Sequence, residues 1–178
     1  FTYPTAIAHA AIDMIADGTL LVALSQSISV LAIGFLLGTV GGIALGLLAG
    51  RSTVVAALLD IPVTALDATP IVALVPILVL WFGFDAPVKV VVVLLFTIFP
   101  VLINTMRGVR EVDPRLVEVA RSFCSTEYRL WIDLVLPSAL PFMMTGIRLA
   151  IGRALIAIII AEFYTAVSGL GYLIVSNA

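Results

Sequence analysis

Twenty of the 178 residues carry a formal charge, nine basic and eleven acidic, and their spacing excludes more chemistry than it offers. The lone lysine, Lys89, is followed by Val90, so the chain has no glycine-rich loop ending in Gly-Lys-Ser/Thr to cradle nucleotide phosphates. ATP and magnesium, if they are used, must therefore be bound by a partner. There is no His-Glu-x-x-His pair and no pair of aspartates within an apolar run, which leaves an intramembrane enzyme without its nucleophile, base or metal. One histidine, His9, and one cysteine, Cys124, supply neither a metal set nor an internal disulfide. What remains is a set of polar side chains within apolar stretches: Ser25, Gln26, Thr97, Asn104, Arg153 and Glu162. Asn104, Arg153 and Glu162 are the candidates for contact with a passing solute, although packing between helices is the commoner use of any single such group. Arg153 and Glu162 are nine residues apart, about 180° around a straight helix, and so cannot pair with each other within one helix.

The elements that would position these groups follow from composition. Hydrophobic residues make up 62% of the chain, charged residues 11%, and mean hydropathy is +1.25. A soluble domain carries about 25% charge. Residues 19–50 contain no charge at all, more than the roughly 20 residues that span hydrocarbon as a helix. Further apolar runs place spans near 61–84, 89–106 and 138–161, giving an all-α bundle of about four transmembrane helices in a single domain over 1–178. Strands are excluded because barrel segments alternate apolar and polar residues. The net charge of −2 gives no sign of a nucleic-acid partner, whereas membrane lipid is an obligatory one.

Arginine placement sets the orientation. With turns near 51–60 and 85–89 and a long polar loop at 107–136, Arg51, Arg107, Arg110, Arg115, Arg121 and Arg129 share one side and only Lys89 lies opposite. The long loop is then cytoplasmic. Residues 1–17 lack the basic start of a signal peptide. The chain starts without methionine and stops in an apolar stretch, so it reads as part of a longer protein, in which a further helix at each end would return both termini to the cytoplasm.

Two patterns mark the spans. Gly34, Gly38, Gly42, Gly46 and Gly50 recur every four residues, a close-packing strip that advances 40° around the helix per repeat and favours a crossing partner over a parallel one, within the chain rather than across a dimer seam. Pro62, Pro70 and Pro76 interrupt the second span, which predicts kinks and a backbone covered by protein, equally suited to lining a pathway and to a structural bend. In the fourth span Arg148 and Arg153 lie about 16 and 24 Å by helical rise beyond Pro137 and about 140° apart, so they face different walls at different depths.

The loop at 107–136 holds five of the nine basic residues. Asp113-Pro114 is a helix start, after which Leu116, Ala120 and Phe123 form one apolar stripe. Ser125 and Thr126 can cap a second helix carrying Tyr128, Trp131, Ile132 and Val135, which Pro137 would end. Such a pair of helices could simply lie on lipid. However, Glu118-Val119-Ala120, Cys124 and Leu134-Val135-Leu136-Pro137 resemble, with matching spacing, the Glu-Ala-Ala signature of ABC importer permeases: Glu-Ala-Ala, three residues, Gly, nine residues, Ile-x-Leu-Pro. Val119 and Cys124 depart from it, and Cys124 stands where the bend uses glycine; a non-glycine residue at positive φ there is strained. Resemblance extends over roughly residues 18–175, through GLLAGRS, TPIVALVPILVLWFGF, GVREVDPRLVEVARSF, LPSALPFMMTGIRLAIGRA, AEF and SGLGYLI, and is strongest to the nitrate, sulfonate and taurine group.

The resemblance implies a type I importer permease fold. In that setting Glu118, Ala120, Cys124, Leu134, Leu136 and Pro137 belong to a coupling loop seated in a groove of a cytoplasmic ABC ATPase, with ATP and Mg on that partner and no cofactor or metal on this chain. It further implies a second permease copy or paralogue, an extracytoplasmic solute-binding protein, an inner-membrane location in a bacterium or archaeon, and alternating access. A solute such as a sulfonate or nitrate would suit Arg153. The competing reading is a secondary transporter or channel driven by an ion gradient, for which Asp67, near a cytoplasmic end, is the one intramembrane carboxylate at hand.

Overall fold

The computed structural model describes residues 3–176, without the side chains at 4–8, 10, 60, 67 and 68. Asp67, named above as a candidate carboxylate, is thus outside the described side chains. The described residues are helical throughout: α1 (Pro4–Ala16), α2 (Thr19–Arg51), α3 (Thr53–Ala68), a 3-10 turn (Ile71–Leu74), α4 (Val75–Phe82), α5 (Ala86–Arg110), α6 (Pro114–Ser122), α7 (Glu127–Leu130), a π turn (Trp131–Val135), α8 (Leu136–Thr165) and α9 (Leu170–Ser176). Three helical stretches are long and apolar enough to cross a membrane, Thr19–Arg51, Ala86–Arg110 and Glu127–Thr165, and a fourth crossing is made only if the bent pair Thr53–Leu66 and Ile71–Phe82 counts as one.

That bent pair falls where a second span is expected over 61–84. Thr69, preceding Pro70, is driven to extended backbone (φ −76°, ψ 134°), as the proline ring requires of its neighbour. The chain turns by 84° there instead of kinking within a helix. Pro62 remains inside α3, and Pro76 is absorbed in the first turn of α4, where no intrahelical N–H is needed. The expected turn over 51–60 is in fact one residue: Ser52 leaves α2 in extended backbone and caps α3, its Oγ accepting from Val55 N–H at 3.3 Å.

α5 is the centre of the bundle. Val88, Val92, Val93, Val101 and Thr105 on it are fully buried between α2 on one side and α8 on the other. The five α2 glycines face α5 in strict register, so that a Cβ built on Gly34, Gly38, Gly42, Gly46 or Gly50 would come within 2.8 Å of the Cβ of Val93, Thr97, Val101, Thr105 or Val109 in turn. The strip is therefore an intrachain seam. α5 presents its own contacts every four residues and runs in the same direction as α2, so the two helices stay in register over the whole strip. A contact period of four exceeds 3.6, which is the condition for a right-handed wrap. α8 runs antiparallel to α5 and buries Ala139, Gly146, Ala150, Ala154, Ala157 and Ala161 against it, small residues that bring the backbones close without hydrophobic bulk. Leu36, Val40, Leu48, Leu149 and Ile156 point outward and exposed, which suits hydrocarbon and not water.

Candidate functional site

The motif segment after α5 forms as the sequence dictates at its start. Asp113 Oδ1 accepts from Arg115 N–H at 2.9 Å, with Pro114 at the first helical position. At its end Cys124 adopts φ 54°, Ser125 N–H donates to Ala120 O at 3.1 Å, and Cys124 N–H donates to Arg121 O at 2.9 Å. These two bonds form the Schellman closure, in which the left-handed residue is usually glycine. Cys124 holds the glycine conformation with a side chain attached. Thr126 then caps α7, its Oγ1 accepting from Arg129 N–H at 3.4 Å.

Two features differ from the sequence reading. Pro137 does not end the second helix: α7, the π turn and α8 form one continuous stretch, Glu127–Thr165. The π turn accounts for this, because Leu136 N–H reaches back five residues to Trp131 O, and the widened ladder accommodates the N–H that Pro137 lacks. The expected stripe of Leu116, Ala120 and Phe123 divides. Ala120 turns inward with Val117 against Leu130, Trp131 and Val135, while Leu116, Val119 and Phe123, within an arc of about 60°, face out. Phe123 is 83% exposed, and Tyr128 is exposed as well. Of the motif residues, Glu118 is exposed, Leu134 and Leu136 are half-buried, and Pro137 is exposed.

Behind α6 lies a cleft of about 520 Å³ lined by Gly50, Arg51, Glu118, Arg121, Glu127 and Trp131 among others. Arg121 reaches Glu127 at 3.4 Å across it, and the Arg51 guanidinium lies 5.3 Å from the centre of the Trp131 ring. The last residue of α2 is thereby joined to the motif segment by a cation–π contact. The arginine counting that placed Arg51 and the loop on one side agrees with this proximity.

The pathway candidates separate by environment. Asn104 is half-buried where α5 meets Gly146, and its Nδ2 donates to Pro100 O at 2.7 Å, so its amide is engaged on its own helix. Arg153 lies on an exposed face of α8, one residue before the buried Ala154. Glu162 is only 1% exposed. Its Oε1 accepts from the Ser27 hydroxyl at 2.5 Å and its Oε2 from Gly171 N–H at 2.7 Å. Further residues that the sequence reading did not bring together complete this cluster. Ser27 Oγ also accepts from Leu170 N–H at 2.9 Å, and Lys89, 2% exposed, donates from Nζ to Ser168 O and Ser168 Oγ, both at 2.8 Å. The signal available was Lys89 itself, the one lysine, followed by seven apolar residues where a charge is costly unless satisfied.

Comparison with known proteins agrees with this architecture. Residues 42–178 match the model of the binding-protein-dependent transport system inner membrane component family. A protein of Bacillus subtilis (strain 168) named as an aliphatic sulfonates transport permease is 40% identical over 162 residues, covering 91% of this chain and 59% of the relative. Its namesake in Escherichia coli (strain K12) is 45% identical over 116 residues, 65% of this chain and 44% of the relative. The nitrate import permease protein of Leptolyngbya laminosa is 32% identical over 151 residues, 85% of this chain and 54% of that protein. The chain spans about half the length of these relatives. With its all-α architecture, its apolar helices long enough to span a membrane and the family match over residues 42–178, this chain belongs to the binding-protein-dependent transport system inner membrane component family.

Proposed function

We propose that this chain is the membrane-spanning part of an ATP-driven importer, passing a small anionic solute of the sulfonate or nitrate class inward by alternating access. The observation that carries the reading is the division of α6 into two apolar faces. One face packs on the bundle through Val117 and Ala120, and the other, Leu116, Val119 and Phe123, stands exposed next to Glu118 on the arginine-rich side. A helix that merely floated on lipid would need one apolar face, whereas a helix clamped between a bundle and a protein groove needs two. The occupant of the outer face is a cytoplasmic ATPase that binds ATP and Mg, since this chain has no phosphate-binding loop of its own. A second permease copy or paralogue and an external solute-binding protein complete the assembly. Support for the anionic solute comes from Arg153 on an exposed face of α8 and from the sulfonate and nitrate names of the relatives.

The test is co-purification. The permease solubilised from its native membrane should retain an ATPase subunit, and Glu118→Lys or Phe123→Asp should insert into the membrane at the normal level yet lose that subunit. Retention of the ATPase by both variants overturns the docking assignment. Uptake driven by an ion gradient in ATP-depleted vesicles would establish the competing class of transporter.

A further inference from the structure

We infer that Glu162 is a positioning residue that latches the outer turn and α9 onto the first span, making α9 a fixed part of the outer wall and not a free flap. The turn after α8 needs such a device. Ala166 at φ 49° and Gly169 at φ 98° are both left-handed, and α9 has only seven residues, too few to hold itself in place. Its first two amides, Leu170 and Gly171, find no acceptor within α9, as at any helix start. Ser27 on α2 takes the first and Glu162 on α8 the second, while the Ser27 hydroxyl donates onward to the other Glu162 oxygen. A three-membered ring of hydrogen-bonded segments closes in this way around one carboxylate.

Lys89 secures the turn from a third helix. Its ammonium holds Ser168 by both carbonyl and hydroxyl, next to Gly169, whose Hα position faces the Glu162 carboxylate so closely that no side chain fits there. Two buried opposite charges, one on α5 and one on α8, thus grip the same turn without touching each other. Opening α9 together with its turn would strip Glu162 of the Gly171 donor inside the bundle and leave Lys89 without its Ser168 acceptors, a state that buried charges strongly disfavour. The latch stands on these contacts alone. Its persistence while solute passes rests on the importer reading above.

The experiment uses the full-length permease in intact cells, with Leu173→Cys on α9 labelled from outside by a membrane-impermeant maleimide, so that Cys124 on the cytoplasmic loop is out of reach. Ser27→Ala, which deletes one hydroxyl and leaves both charges in place, should raise the labelling rate severalfold, and Ser27→Thr should return it to that of the parent. The parent rate should be the same with and without solute, with uptake recorded in parallel. An unchanged rate in Ser27→Ala overturns the latch, and a parent rate that rises during uptake overturns its persistence. Absence of uptake in the parent counts against the importer reading alone, because the Ser27 comparison still decides the latch.

Discussion

Gly46 and Thr105 approach so closely that a methyl group built on the glycine would lie 2.6 Å from the threonine Cβ. The Thr105 hydroxyl is buried there with no hydrogen-bond partner among the described residues, whereas Thr97, two repeats earlier, donates to Val93 O at 2.8 Å. The other α5 contacts on the strip, at 93, 101 and 109, are valines. Thr105→Val keeps the shape and removes an unsatisfied polar group, so it should stabilise the permease by about 1 kcal/mol, read as a higher midpoint in detergent thermal unfolding. A lower midpoint would show that the hydroxyl has a partner in the membrane.

Gly42→Leu should act in the opposite direction. Its Cβ alone would sit 2.8 Å from the Val101 Cβ and 2.9 Å from the Ile98 carbonyl oxygen, the second a backbone atom that cannot rotate away. Overpacking of about 1 to 3 kcal/mol or more is expected, with loss of assembled protein in a yield measurement. Wild-type yield would mean that α2 and α5 can separate at no cost.

The difference between what could and could not be read from the sequence lies in which residues carry local constraints. The α2 glycines, Asp113-Pro114 and Thr69-Pro70 act on their immediate backbone, so a close-packed helix, a helix start and a break were all visible, even though the size of the break was not. Pro137 misled because its effect depends on a π turn five residues long upstream, which compensates for the missing donor. Leu116 and Ala120 misled because an amphipathic pattern cannot say which of two adjacent apolar arcs meets the bundle. Glu162 was visible as a costly charge, but its partners Ser27 and Gly171 are 135 residues before it and nine after, and only the tertiary fold brings the former within reach.

Cys124 should tolerate glycine better than any other residue. At φ 54°, an L side chain costs about 1 to 2 kcal/mol that glycine does not. Cys124→Gly should therefore raise the unfolding midpoint, while Cys124→Val, β-branched at the same angle, should lower it. Equal midpoints for the two would argue that the bend relaxes.

Arg51→Ala should weaken the link between α2 and the coupling segment by about 0.5 to 1 kcal/mol, the value of an exposed cation–π contact. The effect to look for is ATP hydrolysis that continues with reduced uptake in reconstituted vesicles, restored in part by Arg51→Lys. Uptake and hydrolysis falling together would place Arg51 in assembly instead.

Arg153→Gln should lower uptake of an anionic solute on the order of tenfold, equivalent to about 1.4 kcal/mol, with normal assembly. The measurement is uptake divided by the amount of purified complex. Unchanged normalised uptake removes Arg153 from the pathway.

The unbroken stretch Glu127–Thr165 has a mechanical consequence. Its 39 residues measure about 58 Å by helical rise, from the motif segment to the residues just beyond Glu162. A tilt of about 5° pivoting at one end would carry the other through about 5 Å, a displacement larger than a hydrogen bond and delivered without an intervening loop to dissipate it. The compliant points along the beam, the π turn at Trp131–Val135 and Pro141 within the helix, both lie toward the motif end, so the remainder up to Thr165 behaves as the long arm of a lever.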